Sequence, residues 1–145
     1  FKEAQKYTHS YTRSWIGEKA TEDPLILRQY GELWAKISAA EQLTNQAALV
    51  FQRAWETGDE LTEEQRGESA ISIATAKVIA VQTALEVTSK IFDLMGARAT
   101  EEKNRYDRFW RNIRTYSLHD PLEVKIQELG QYVLNHRYPI SGLYA

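Results

Sequence analysis

The chain has 145 residues, of which 43% are hydrophobic and 26% charged, a composition typical of one ordinary soluble globular domain. A formal net charge of −2 gives no overall reason to expect a nucleic-acid partner, and we expect no apolar run to be long enough to span a membrane. The absence of cysteine excludes disulfides, thiol chemistry and cysteine-ligated metals, and we expect a cytoplasmic location.

Apolar residues recur with helical spacing along the whole chain, and no run has the alternation of a strand. The chain opens with Phe1 rather than Met, and its helical pattern already runs from there to Trp15, so we expect a fragment that begins partway along a helix of a longer protein. Asp23-Pro24 has the pattern of an N-cap followed by proline at the first helical position, and the helix that it opens is predicted to end at Gly58.

The next predicted helix opens with a capping box, Thr62 and Gln65, and ends at Gly96. Apolar residues occupy nearly all of its faces, which predicts a helix buried nearly all round. Within it Lys77 is surrounded in sequence by apolar residues, and such a lysine usually reaches solvent along its stem or meets a carboxylate. A catalytic Lys77 is the weaker alternative.

Two further helices are predicted, from about Lys103 to Ser117 and from Pro121 to about Asn135, followed by an irregular tail over 138–145. Helices with short connections around one broadly apolar helix predict an all-α fold, an antiparallel four-helix bundle, as a single domain over residues 1–145.

The patterns of self-contained metal and nucleotide sites are missing from the sequence. No histidine has a glutamate three residues before it, and no glycine-rich phosphate loop occurs. Between residues 103 and 114 five basic residues stand against the single acid Asp107. This run is either a solvated helix face or a surface that meets anions, and both interpretations remain open.

The run His119-Asp120-Pro121 carries the clearest candidate chemistry. With Glu123 it has the pattern of a capping box, in which Asp120 is the N-cap and Pro121 the first helical residue. His119 would then directly precede a helix N-terminus, as a group that can accept a proton or donate a hydrogen bond. The pattern alone favours a structural histidine.

Four segments, YTRSWIG, KIFDLMGARAT, RFWRNIRTYSLHDP and YVLNHRYPISGLY, resemble the C-terminal helical domain of the acyl-CoA dehydrogenase superfamily. The RNIRT-x-S-x-H-D-P run is most similar to its flavin-dependent monooxygenase branch, typified by dibenzothiophene monooxygenase. The resemblance covers nearly the whole chain. It implies a four-helix bundle that, in a complete enzyme, packs behind an N-terminal helical domain and a middle β-domain. It also implies a dimer or tetramer in which this domain reaches a neighbour's flavin.

The resemblance implies a two-component monooxygenase, which takes reduced flavin from a separate reductase and inserts one oxygen atom of O2 into a small-molecule substrate. The resemblance implies that the flavin is FMN or FAD. His119 would be the catalytic acid/base or hydrogen-bonding group near the flavin. The residues that match flavin-phosphate contacts are Arg13, Trp15, Gly96, Ala97 and Arg98.

One departure from the superfamily pattern bears on the reaction. Acyl-CoA dehydrogenases carry Tyr-Glu-Gly where this chain has His119-Asp120-Pro121, so Asp120 would replace their catalytic glutamate with a shorter side chain. An acyl-CoA dehydrogenase that uses Asp120 as its base is therefore the alternative enzyme. A helical oligomerisation module without a site of its own is the non-enzymatic alternative. The chain by itself is expected to be inactive under the enzymatic hypotheses.

Overall fold

The computed structural model describes residues 1–140 and residue 142, and these form five α-helices with short 3-10 turns between them. None of the described residues lies in a strand, so the predicted all-α class is confirmed. The opening run is α1, and the four predicted bundle helices are α2 to α5. The helices are α1 (Lys2–Tyr11), α2 (Pro24–Thr57), α3 (Glu63–Met95), α4 (Asp107–His119) and α5 (Leu122–Asn135).

Local chemistry fixes several helix ends as the sequence predicts. At the start of α2 the Asp23 carboxylate accepts a hydrogen bond from the Leu25 N–H at 2.9 Å, which satisfies one of the free donors of the first turn. Before α3 both bonds of the predicted capping box form. The Gln65 side-chain oxygen accepts a hydrogen bond from the Thr62 N–H at 3.0 Å, and the Thr62 hydroxyl accepts one from the Gln65 N–H at 3.2 Å. After α3 the chain turns at Gly96 with φ of 83°, a conformation that favours glycine.

Two predicted helix boundaries are wrong. The first helix ends at Tyr11, so Trp15 lies in an irregular segment and not on a helix. The helix predicted from Lys103 begins only at Asp107, because the chain before it forms a separate 3-10 turn and then adopts the left-handed conformation at Arg105, where φ is 52°. The basic run between residues 103 and 114 is therefore not the face of one helix.

The capping box predicted at Asp120 is also wrong. Helix α5 begins at Leu122, Pro121 takes the N-cap position, and no side chain caps the helix. The Asp120 carboxylate instead accepts a hydrogen bond from the Lys77 ammonium of α3. Both partners of this bond are ionised, whereas only the carboxylate would be ionised in a capping bond to a backbone N–H, so the ion pair takes the carboxylate that the local pattern assigned to the cap.

The described residues divide into two compact units, and the long helices α2 and α3 contribute to both. The first unit contains Phe1–Ser38 and Thr83–Thr115. Its apolar core joins α1, the beginning of α2, the end of α3 and the turn after it. The core residues buried in this unit are Ala4, Ala20, Ile26, Leu33, Val87, Ile91, Leu94, Met95 and Ala99.

The second unit contains Ala39–Gln82 and the described residues from Tyr116 onward. The segment after α5 packs on the beginning of α3, where the Tyr138 ring lies against Gly67. A Cβ at position 67 would lie 2.3 Å from that ring, so only glycine leaves room for it. Arg66 donates to the Pro139 carbonyl at 2.6 Å, which holds the same segment. The predicted irregular tail is thus irregular but held over 138–140, and Ser141 and 143–145 lie outside the described residues.

Among the described residues one helix, α3, has the length and mean hydropathy (1.4) that could cross a membrane, so the expectation that no apolar run is long enough is wrong. The central helix of a soluble bundle has the same length and composition, so this finding is weak support for a membrane span. In this chain α3 supplies Val87, Ile91 and Leu94 to the core of the first unit.

Candidate functional site

A cleft of about 290 Å³ in the first unit brings together all five residues that the sequence analysis assigned to flavin-phosphate binding. Its walls come from the end of α1 with the segment that follows it, and from the end of α3 with the next turn. The five residues come from two segments more than eighty positions apart in the chain, so their meeting is a property of the fold. The five residues are Arg13, Trp15, Gly96, Ala97 and Arg98.

The segment that carries Arg13 and Trp15 is wrapped around the buried carboxylate of Asp23. One carboxylate oxygen, Oδ2, accepts hydrogen bonds from the Ser14 hydroxyl at 2.8 Å, from the Trp15 N–H at 2.6 Å and from the Ile16 N–H at 3.2 Å. The other oxygen caps α2. Asp23 has no exposed surface. One side chain therefore fixes both the start of α2 and the wall of the cleft.

This hydrogen bonding changes the acidity of Asp23. Burial alone would raise the pKa of the carboxyl group, but the bonds from the Ser14 hydroxyl and from three backbone N–H groups favour the charged form more strongly. Together they lower the pKa of Asp23 to about 2, from an ordinary value of 3.8. The carboxylate is therefore charged throughout the range in which proteins normally work.

The other wall is joined to α1 by two threonines. The Thr8 hydroxyl donates to the Leu94 carbonyl at 3.4 Å, and the Thr12 hydroxyl donates to the Met95 carbonyl at 3.3 Å. Both carbonyls belong to the last turn of α3, where they have no partner within the helix. These bonds connect the end of α1 to the end of α3, directly before the turn at Gly96.

The cleft has the donors of an anion site. Asp93 also lines the cleft, and Glu101 interacts electrostatically with Arg98. Even so, no acidic side chain of the described residues lies within 4.0 Å of the Arg13 or Arg98 guanidinium, so neither group forms an ion pair there. Asn104 donates to the Arg98 carbonyl at 3.0 Å and so holds the backbone of that turn. Two guanidinium groups on one cleft fit a phosphate, which they can bind through paired N–H donors. The flat ring of Trp15, 71% exposed, lies beside them.

The role of Asp23 in organising this cleft was not predicted from the sequence, because the capping pattern already accounts for that residue. The sequence did contain a signal for this role. Ser14 stands only nine residues before Asp23, so a loop between the two can bring its hydroxyl to the carboxylate. The contribution of Thr12 had no such signal, since its partner Met95 is 83 residues away.

A larger cavity of about 800 Å³ lies in the second unit. Its lining is mostly apolar, with Phe51 and Trp55 of α2 among the larger side chains. Lys77 and Asp120 form an ion pair on its wall, which confirms the prediction that this lysine meets a carboxylate. The second carboxylate oxygen, Oδ1, is buried and accepts no hydrogen bond from the described residues.

His119 lies outside both cavities. It is the last residue of α4, is exposed, and stands three positions before the first residue of α5. The expectation that it directly precedes a helix N-terminus is therefore wrong, and the helix end on which it lies is a C-terminus. Its catalytic role stays a prediction. Within the part of the chain that the structure describes, no three His, Asp or Glu side chains cluster as metal ligands.

The sequence profile described as "Acyl-CoA dehydrogenase, C-terminal domain" matches residues 1–123. A dibenzothiophene monooxygenase of Mycolicibacterium goodii is 49% identical over 142 residues, which cover 96% of this chain and 34% of that protein. The probable FMNH2-dependent monooxygenase SfnC of Pseudomonas putida is 40% identical over 148 residues, which cover 100% of this chain and 38% of that protein.

Solved structures are similar to the same extent. The methanesulfinate monooxygenase MsuC of Pseudomonas fluorescens superposes with a TM-score of 0.96 at 43% identity, covering 99% of this chain and 38% of that one. FMN-bound TdsC of Paenibacillus sp. A11-2 superposes with a TM-score of 0.94 at 42% identity, covering 99% of this chain and 37% of that one. The chain thus spans little more than a third of the length of these proteins. By its match to the family profile, the chain belongs to the acyl-CoA dehydrogenase family, as a C-terminal domain.

Proposed function

We propose that this chain is the C-terminal domain of a two-component flavin-dependent monooxygenase. The observation that carries the proposal is the cleft that Arg13 and Arg98 both line, where neither guanidinium forms an ion pair with a described acid. Relatives that are 40 to 49% identical over nearly all of this chain and are named as monooxygenases support the choice of reaction. The remainder of the active site would lie in an N-terminal helical domain and a middle β-domain of the longer protein.

In the complete protein the two guanidinium groups would hold the flavin phosphate, of FMN or FAD, and Trp15, Gly96 and Ala97 would complete the wall of that site. Bound reduced flavin would supply both electrons for the reduction of O2, one atom of which would enter the substrate while the other would leave as water. His119 donates or accepts a proton at its imidazole near the reacting oxygen. A separate reductase supplies the reduced flavin, and the reaction takes place in the cytoplasm.

The state of Asp120 argues against the dehydrogenase alternative. A base that removes an α-proton must present a free carboxylate oxygen at hydrogen-bond distance from the substrate. In this chain Oδ2 is bonded to Lys77, and Oδ1 has no exposed surface. Asp120 is also one methylene shorter than the glutamate of the dehydrogenases. The carboxylate therefore suits a structural role better than proton abstraction.

We also propose that the complete protein is a homodimer or homotetramer. Large apolar side chains stay exposed on this chain, among them Trp55 at 74%, Val133 at 74% and Leu134 at 80%. Exposed groups of this size are typical of surfaces that another domain or subunit covers. The oligomerisation-module alternative explains these residues too, but it gives no account of the arginine cleft.

The test uses the complete protein with reduced FMN or FAD and O2, and offers dibenzothiophene and methanesulfinate, the substrates in the names of its relatives. We expect an oxygenated product from one of the two or from a related small sulfur compound, and His119→Ala should lower its rate of formation without changing flavin affinity. Turnover of an acyl-CoA with an artificial electron acceptor in the absence of O2 would support the dehydrogenase instead. A protein that binds no flavin would refute both enzymatic hypotheses.

A further inference from the structure

The lysine ammonium of Lys77 holds the chain at the point where α4 passes into α5. It donates to the Asp120 carboxylate and also to the Asp120 backbone carbonyl, at 3.2 Å. It lies 5.5 Å from the centre of the Tyr116 ring, one turn earlier on α4. One side chain of α3 thus contacts both the last turn of α4 and the junction that follows it.

In the sequence, His119 lies between the two residues that Lys77 contacts. Tyr116 precedes it by three residues, and Asp120 follows it directly. His119 itself is exposed, so its own packing does little to fix its backbone. The short junction to α5 has no side-chain cap that could fix it from the other side. The ion pair is a tertiary contact that holds this peptide segment directly after His119.

We propose that Lys77, acting through Asp120, is a positioning residue for His119. This inference rests on the function proposed above, in which His119 must meet the reacting oxygen at hydrogen-bond distance. Lys77 has no part in the chemistry. It fixes the carbonyl and the carboxylate of the neighbouring residue and so limits the directions in which the imidazole can point.

The environment of the pair suits a positioning role. The Lys77 side chain is 11% exposed and the Asp120 side chain 33%, so solvent screens their attraction much less than it screens a surface pair. The two residues are 43 positions apart, so the bond is a tertiary contact that no helix periodicity produces. Removing one partner would leave the other charge uncompensated in an apolar cavity wall.

The experiment compares Lys77→Met with Lys77→Arg in the complete protein. We expect Lys77→Met to lower the oxygenation rate constant by about ten-fold or more while the dissociation constant of FMN stays within about two-fold, since a misplaced catalytic group affects the reaction step and not phosphate binding. Lys77→Arg offers two parallel N–H donors to the two Asp120 oxygens that Lys77 contacts, one of the carboxylate and one of the backbone carbonyl. It should therefore recover most of the rate. Lys36→Met is the matched control, since it removes another lysine–carboxylate pair between α2 and α3, with Glu86 at 2.6 Å.

A second readout does not depend on activity. In the 145-residue chain labelled with 15N at histidine, the His119 imidazole and backbone resonances should be sharp in the wild type and in Lys77→Arg, and multiple or broadened in Lys77→Met. His9 of α1 and His136 after α5 serve as internal references. If Lys77→Met does not fold, the double variant Lys77→Met/Asp120→Leu takes its place, because it leaves no unpaired charge and still lacks the bond.

A wild-type oxygenation rate in the variant without the bond, or unchanged His119 resonances in it, would overturn the proposal. Equal losses in Lys77→Met and Lys77→Arg would also contradict it, because a positioning role predicts rescue by the second cation. A wild-type rate in His119→Ala would refute the catalytic role of His119 and not the positioning of its backbone, which the resonances test separately.

Discussion

Replacement of Arg98 by alanine should weaken binding of a phosphorylated flavin and leave binding of an unphosphorylated one unchanged. The Arg98 guanidinium forms no ion pair with any described acid, so it is free to meet an incoming anion. A hydrogen bond to a charged group contributes about 1.5 to 3 kcal/mol, and the exposure of this side chain favours the lower end of that range. Since 1.4 kcal/mol corresponds to a factor of ten, the dissociation constant of FMN should rise by about ten-fold.

The assay is quenching of flavin fluorescence in the complete protein, with FMN and riboflavin compared side by side. Riboflavin has the same ring system without the phosphate, so Arg98→Ala and Arg13→Ala should leave its affinity within about two-fold of the wild type if the arginines act on the phosphate alone. Arg28→Ala is the matched control, because Arg28 is an exposed arginine of α2 that is paired with Glu32 at 2.5 Å. Equal losses for the two flavins, or wild-type affinity for FMN in both cleft variants, would refute the assignment of the cleft to phosphate.

Three further predictions concern the scaffold that holds the cleft. Because the pKa of Asp23 is about 2 in the folded chain and 3.8 ordinarily, its charge should stabilise the fold fully above pH 3.8, and this contribution should disappear as the pH falls from there to 2. Thermal melts between pH 2 and 6 would measure it, and Asp23→Asn should flatten that part of the profile; an unchanged slope would contradict the hydrogen-bond account. Gly96→Ala should cost about 1 kcal/mol or more in urea unfolding, because φ is 83° although nothing blocks the added Cβ, whereas Gly130→Ala within α5 should be neutral or stabilising. Leu94→Ala, at a side chain with no exposed surface, should cost about 2 to 5 kcal/mol by the same assay, and a loss below 1 kcal/mol would mean that the core relaxes around it.

The helix ends show where sequence patterns are reliable. The caps at Asp23 and Thr62 involve partners two or three residues away, so the residues that decide them are neighbours in the sequence. The same reasoning fails at Asp120, where the local pattern is as good but a lysine 43 residues away takes the carboxylate. A capping pattern describes what a segment can do when no stronger partner is near.

The roles of the candidate site residues stay predictions. The resemblance to a family pointed to Arg13 and Arg98, which the fold places on one cleft. Neither the resemblance nor the capping pattern predicted the second role of Asp23, because helix capping already accounts for that residue. His119 was identified by resemblance as well, but its place at the end of α4 differs from the position that the capping pattern gave it.

The amino-acid sequence by itself determined the helical class, most of the helix ends and the family, because periodicity, caps and motifs act between residues that are close in the chain. Only the tertiary structure decided which charged groups form ion pairs. Lys77 has Asp120, whereas Arg13 and Arg98 have no acidic side chain of the described residues within 4.0 Å. The physical reason is that the strength of an ion pair depends on the distance between two side chains and on their burial, and the fold sets both.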